Sequence, residues 1–188
     1  MNRYKFSEIA INCTKKKIPS EDEYSTYIGL EHLDTKRLKV DRWGSNVPIK
    51  GEKLIIKKGD VLLGKRNAYL RRAAIAPHNG IFSAHGMVLQ PKENVVFNEF
   101  FPIFIGSDYF FDEAIKISVG SLSPTINWSD LKDVEFNLPS LEKQRICSSQ
   151  LWSIVNTIES YRELLLRSDE ILKANEIDLK NASGKISD

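Results

Sequence analysis

Between Ser140 and Leu179 the chain has neither proline nor glycine, and its apolar residues fall into a seven-residue repeat. Leu151, Ile158, Leu165, Leu172 and Leu179 recur at that interval, with Cys147, Ile154, Tyr161, Ser168 and Asn175 at the intervening positions. This 4-3 alternation is the signature of a coiled-coil seam. Pro139 and Ser140 mark the start: serine is a favoured N-cap, and Glu142 suits the positive end of the helix dipole. The pattern predicts a helix over residues 140–182, with 183–188 as a frayed tail. About forty residues at about 1.5 Å each give roughly 60 Å. A compact body of about 139 residues has a radius of gyration near 14 Å, hence a diameter of roughly 37 Å. A helix lying along its own domain would overhang it by several turns. An apolar seam that overhangs calls for a partner helix, and the chain has no second segment of that length. An intermolecular partner is therefore expected. Ser168 and Asn175 interrupt the seam, as polar residues do where they select register or partner.

Up to Pro139 the apolar runs are short and punctuated. "TYIGL" (26–30), "KLIIK" (53–57), "VLLG" (61–64), "AAIA" (73–76), "GMVLQ" (86–90) and "VEFNL" (134–138) read as strands. Lys58-Gly59-Asp60 fits a turn between two of them. "NEFFPIF" (98–104) and "SDYFFDEAIKI" (107–117) read as helices, with Asn98 and Ser107 as N-caps. Pro102 leaves the form of the first open. Short strands with a few helices imply an α+β, mainly-β globular domain over 1–139, followed by one long coiled-coil helix.

Charge is close to balanced over the whole chain, at +2, so its distribution matters more than its sum. Residues 1–139 carry 20 Lys+Arg against 17 Asp+Glu, and residues 140–188 carry 7 against 8. Cys13 and Cys147 are far apart and in no C-x-x-C pair, so neither a zinc ribbon nor a disulfide framework is expected and a reducing cytoplasm is the default. "MNRYKFSEIAIN" lacks a signal-peptide pattern, and no apolar run reaches the length of a membrane span. There is no Gly-rich phosphate loop, no G-x-S-x-G elbow and no paired carboxylate couple. His32, His78 and His85 show no metal-ligand spacing. No cofactor, metal or catalytic residue is expected.

The positive lead is "GDVLLGKRNAYLRRAAIAPHNG" (59–80). After Asp60 no acidic residue occurs until Glu93. Lys65, Arg66, Asn67, Tyr69, Arg71 and Arg72 lie in that gap, the first three just beyond a core strand. Arginine can grip phosphate or guanine with two parallel hydrogen bonds, and asparagine can do the same for adenine. Such a stretch suits a nucleic-acid surface. It equally suits a solvated loop whose arginines pair with carboxylates folded in from elsewhere. Further candidates are Arg42 and Trp43 in "DRWGSNVPIKGEK", His85, and Lys15, Lys16 and Lys17 in "CTKKKIP", the lysines as phosphate contacts.

Taken together, "YIGLEHLD" (27–34), "KKGDVLLGKRNAYLRRAAIA" (57–76), "FSAHGMVLQP" (82–91), "VGSLSPTINWSDLKDVEFNLPSLEKQRI" (119–146) and the heptad helix resemble half of a DNA specificity subunit of type I restriction–modification systems. The resemblance runs over most of the chain in family order. It is most specific from "GSLSPTINWSDL" into "LPSLEKQR": a turn, a short helix, a strand and a helix entry. It departs where "INCTKKKIPSEDEY" replaces a Gly-Gly-Thr-Pro-Ser pattern. The resemblance implies a non-enzymatic target recognition domain that binds double-stranded DNA. It implies a helix that pairs antiparallel with another, sets the spacing of a split site and docks the methyltransferase subunits, with a restriction subunit as a further partner. Two copies, or this half and a different half, would rebuild the usual subunit. The other classes left open are an autonomous nuclease or methyltransferase and a coiled-coil adaptor with a non-DNA ligand.

Overall fold

The structure is a computed structural model that describes the backbone of residues 2–184 and the side chains of residues 2–176. The side chain of Leu179 lies outside the described residues. In chain order the elements are β1 (Asn2–Lys5), α1 (Phe6–Ile9), β2 (Ala10–Cys13), β3 (Lys16–Lys17), β4 (Tyr27–Ile28), β5 (Lys53–Ile56), β6 (Val61–Gly64), β7 (Ala73–Ile75), β8 (Gly80–Phe82) and β9 (Gly86–Pro91). Then follow α2 (Phe100–Gly106), α3 (Asp108–Lys116), α4 (Trp128–Leu131), β10 (Glu135–Leu138) and α5 (Leu141–Gly184). The mainly-β domain with few helices and a long C-terminal helix is the architecture expected from the sequence.

One sheet runs β2-β9-β6-β7, all antiparallel, and a second runs β3-β5-β8-β4, in which only β4 and β8 are parallel. β1 pairs with β10 apart from both. Two cores follow. Leu62, Ala74 and Val88 meet Ile28, Leu54, Ile56 and Phe82 between the sheets. Val61, Leu63, Ala73 and Leu89, from the opposite face of the first sheet, meet Phe6, Phe101, Phe110 and Phe136. The first sheet is therefore covered on both faces, which is why "VLLG" is uninterruptedly apolar rather than alternating. Val61, Leu62 and Leu63 are each at most 1% exposed, a burial that stabilises by about 1.5–3 kcal/mol per side chain.

Local chemistry explains the joints. The turn into β6 needs Gly59 at φ +93°. Its neighbour Asp60 is buried, and the carboxylate accepts from Lys57 N and Gln90 Nε2, both at 2.7 Å. Ser107 caps α3 as predicted, accepting from Phe110 N at 3.2 Å. Asn98 does not cap α2. The helix starts at Phe100 with Glu99 at the cap position, and the Asn98 amide donates to Glu93 at 2.8 Å. Pro102 falls in the first turn of α2, where a missing N–H is tolerated. The predicted strand over 26–30 contracts to two residues, because a 3₁₀ turn over Leu30–His32 takes over after Gly29.

Contacts divide the chain into two compact units, 1–147 and 148–188, so the first turns of α5 belong with the globular unit. Gln144 is the reason. It is fully buried, accepts from Phe97 N at 2.8 Å, and donates to Val95 O at 3.1 Å and Pro139 O at 2.9 Å. Beside it the Arg145 guanidinium lies 5.1 Å from the centre of the Phe97 ring. Cys147, read as the first seam residue, therefore falls in the globular unit. In the second unit Ile154, Ile158, Tyr161, Leu165 and Leu172 are exposed and Leu151 is half-buried. Leu164, Leu166 and Ile171 are exposed as well, so the apolar surface is broader than a two-position stripe. The Ser168 hydroxyl donates to Leu164 O at 2.9 Å, which satisfies that polar seam residue within its own helix.

Candidate nucleic-acid interface

Beyond Gly64 the chain leaves the doubly covered sheet and is caught at once by the segment 119–126. Ile126 N donates to Lys65 O at 3.0 Å, and Ala68 N donates to Pro124 O at 3.0 Å. Arg66 and Thr125 form an isolated bridge. The Asn67 side-chain oxygen accepts from Ser123 Oγ at 2.8 Å. Asn67 sits at φ 55°, ψ 56°, a left-handed conformation that asparagine tolerates better than most residues. Two stretches singled out in the sequence, "KRN" and "VGSLSPT", thus form one stitched edge. On the other side Lys65 N donates to His85 O at 3.3 Å, which brings the β8–β9 turn to the same place.

The charges gathered there are mostly positive. A cleft of about 500 Å³ is lined by Lys16, Lys65, Asn12, Asn127, Trp128 and Glu52, among others. Burial, and then the proximity of Lys16, pull the Lys65 ammonium below its ordinary pKa. Burial also lowers the exposed His85 imidazole, followed by Arg66, Lys65 and Lys53. Among the described residues no carboxylate reaches ion-pair distance of Lys65 or Arg66, and Lys16 meets Glu52 only at 4.0 Å. Positive charges that disfavour one another in a partly desolvated edge are the condition an anion relieves. Lys53 belongs to this group although it reads as part of a strand. The signal that could have found it is its place at the first position of β5, opposite Lys17.

The other candidates are arranged differently. Arg71, also at positive φ, is held by α3: its guanidinium reaches Asp108 Oδ1 at 2.9 Å and Asp112 Oδ1 at 2.6 Å. The stretch that is acid-free in sequence is not acid-free in space. Arg42 is clamped by Asp34 at 2.6 and 3.1 Å and donates to Glu31 O. Trp43 rests edge-on against His78, ring centres 4.9 Å apart, before the start of β8, whereas His85 follows its end. Lys17 pairs with Glu23 at 2.8 Å. Arg72 is half-buried, its carbonyl accepting from Gly64 N, and its Nε has no hydrogen-bond partner among the described residues. Lys15 is exposed, and Tyr69 is 56% exposed. Lys16, Lys65, Arg66 and His85 are thus brought together, with Asn67 as their brace; Arg71 and Arg42 are tied into the body by carboxylates. The described residues hold no cluster of ligands suited to a metal ion and no helix long and apolar enough to cross a membrane.

Fold and surface define a class: a mainly-β domain with a mostly cationic edge, continued by a long helix. The family described as type I restriction modification DNA specificity domain matches residues 3–166, and the chain belongs to that family. A solved chain from work on complex assembly and conformational transition of the type I R-M system superposes with a TM-score of 0.68 at 20% identity, over 87% of this chain and 44% of that one. The HsdS subunit from Thermoanaerobacter tengcongensis gives 0.66 at 20% identity, over 87% and 44%. The type I S subunit from M. genitalium gives 0.60 at 11% identity, over 85% and 40%. At these identities the likeness is one of fold. The chain spans less than half the length of each of these solved chains. No curated protein matches it significantly.

Proposed function

We propose that the chain reads half of a bipartite double-stranded DNA site and performs no chemistry itself, leaving adenine methylation to a methyltransferase subunit and cleavage to a restriction subunit. The observation that carries this is the edge formed by Lys16, Lys65, Arg66 and His85, in which Lys65 and Arg66 meet no carboxylate at ion-pair distance among the described residues, in a member of the DNA specificity family. Lys16, Lys65 and Lys15 contact phosphates and set affinity; Arg66 reaches base edges and discriminates. Asn67 and Arg71 hold the reading loop in shape through Ser123 and the α3 carboxylates.

The exposed apolar face of α5 takes an antiparallel helix from a second copy or from a different half subunit. A two-fold pairing of identical chains repeats the reading surface, so the site of a homodimer is an inverted repeat with a fixed gap. The breadth of the apolar face, with Leu164, Leu166 and Ile171 beside the seam, supports a second neighbour on the same helix, the methyltransferase subunit. Selection of bound duplexes from a random library tests the reading directly. Enrichment of a split motif is the expected result; no enrichment favours an adaptor with another ligand. Turnover of DNA by the chain alone, with Mg²⁺ and S-adenosylmethionine supplied, would overturn the non-catalytic assignment.

A further inference from the structure

Leu122 is 94% exposed. A solitary exposed leucine is ordinary on a protein surface; the mounting of this one is not. Val119 and Thr125 exchange both backbone hydrogen bonds, at 3.0 and 2.9 Å, and close the loop that carries it. Gly120 takes φ +111°, which only glycine adopts without strain. The Thr125 hydroxyl donates to Ser123 O at 3.0 Å, the Ser123 hydroxyl donates to Asn67 at 2.8 Å, and Pro124 O accepts from Ala68 N. The loop is fixed internally and fixed again to the strand extension that carries Lys65 and Arg66. Its tip, Ser121-Leu122-Ser123, offers one large apolar group between two small polar ones.

We propose that Leu122 is a specificity residue that contacts the 5-methyl group of a thymine in the major groove. The proposal rests on the DNA-reading function above and names the chemical group read. The adjoining cationic edge suits the phosphates of the DNA that the reading above assigns as the occupant. A narrow loop closed by a single backbone bridge is of a size that the roughly 12 Å major groove admits. In the major groove the thymine methyl is the apolar feature that distinguishes one base pair from the others. Leu122 keeps its full side chain for that contact, since nothing in its own domain covers it.

The experiment uses the full chain and the duplex motif it enriches. Each thymine of the motif is replaced in turn by deoxyuridine, which removes one methyl and no hydrogen-bonding group. The wild type loses about fourfold in affinity at one position, the equivalent of about 0.8 kcal/mol for one buried carbon. Leu122→Ser loses that discrimination, and Leu122→Met keeps it. Circular dichroism checks that the variants are folded. Wild-type indifference to every replacement overturns the proposal and leaves DNA reading standing. Retained discrimination in Leu122→Ser, or uniform weakening on all duplexes, overturns it as well. A chain that enriches no motif removes the underlying reading and this inference with it.

Discussion

Gln144 holds the first turn of α5 within the globular unit by side-chain hydrogen bonds to Phe97 N, Val95 O and Pro139 O, and Gln144→Leu removes these three at nearly constant volume. Phe97 N loses its acceptor, and Val95 O and Pro139 O lose a donor. A buried polar group left unpaired costs about 1–3 kcal/mol. Phe97 and Pro139 are only partly buried, so the low end of that range applies, roughly 3 kcal/mol for the three groups. The apolar gain of leucine offsets about 1 kcal/mol, leaving a net loss of roughly 2 kcal/mol. Chemical denaturation followed by tryptophan fluorescence measures it. A loss under about 0.5 kcal/mol, the ordinary range for surface substitutions, would refute the reasoning. Gln144→Glu sharpens the test. Ionised, that carboxylate would face two carbonyl oxygens in a buried site; protonated, it regains a donor. Its folded pKa therefore rises above the unfolded value of about 4.3. The stability of this variant relative to wild type is greatest below that unfolded value and is lost as pH rises through the folded one. The opposite slope would mean that Gln144 does not face those carbonyls.

Four further outcomes follow from named residues. His32 is half-buried, and its Nδ1 accepts from Gly29 N at 3.0 Å; burial first, and Arg42 as well, hold its pKa down despite Glu31. The stability it contributes is present above its unfolded value of about 6.5 and lost as pH falls through the folded value, so wild type minus His32→Asn shrinks with acidification, and a difference constant with pH would refute it. Arg66→Ala costs about 1–3 kcal/mol on a cognate duplex if Arg66 reads a base, or lowers the salt slope by about one if it meets phosphate. Arg71→Ala, whose charge is already engaged by Asp108 and Asp112, leaves the slope unchanged; a drop as large as that of Arg66→Ala would return Arg71 to the reading surface. Ile158→Glu sets a charge in the exposed apolar face of α5; under the proposed pairing of identical chains it gives single chains by light scattering where the wild type gives pairs, whereas an unchanged mass would put the interface elsewhere.

The features legible in the sequence are those set by local periodicity. "VLLG", "AAIA" and "GMVLQ" carry enough β-forming apolar residues to name themselves as strands, and the absence of helix breakers after Ser140 announces α5. Very short strands such as β3 and β4 exist only because a neighbouring strand pairs with them, so no local pattern marks them. The basic stretch was legible as composition and not as geometry. Arg66 and Arg71 are five residues apart, yet one stands clear of carboxylates and the other is clamped by two. What separates them is the docking of α3, a contact some forty residues away in sequence that no local window contains. Gln144 escaped for the same reason: a polar residue in the first turn of an amphipathic helix reads as solvated until Val95 and Phe97 are folded against it.

The burial of β6 on both faces constrains where this domain can read anything. Val61 and Leu63 point into one core and Leu62 into the other, so no side chain of the strand is free to meet a ligand. Under the proposed function, recognition falls past the strand end, onto Lys65, Arg66 and the loops stitched to them, outside both cores. The stitching uses mainly backbone groups: Ile126 N to Lys65 O, Ala68 N to Pro124 O, Val119 with Thr125. Backbone bonds persist whatever side chains the loop carries. The side chains of residues 66 and 122 can therefore change while the backbone frame that presents them stays fixed. The separation of presenting frame from presented side chains follows here from one four-residue strand being apolar throughout.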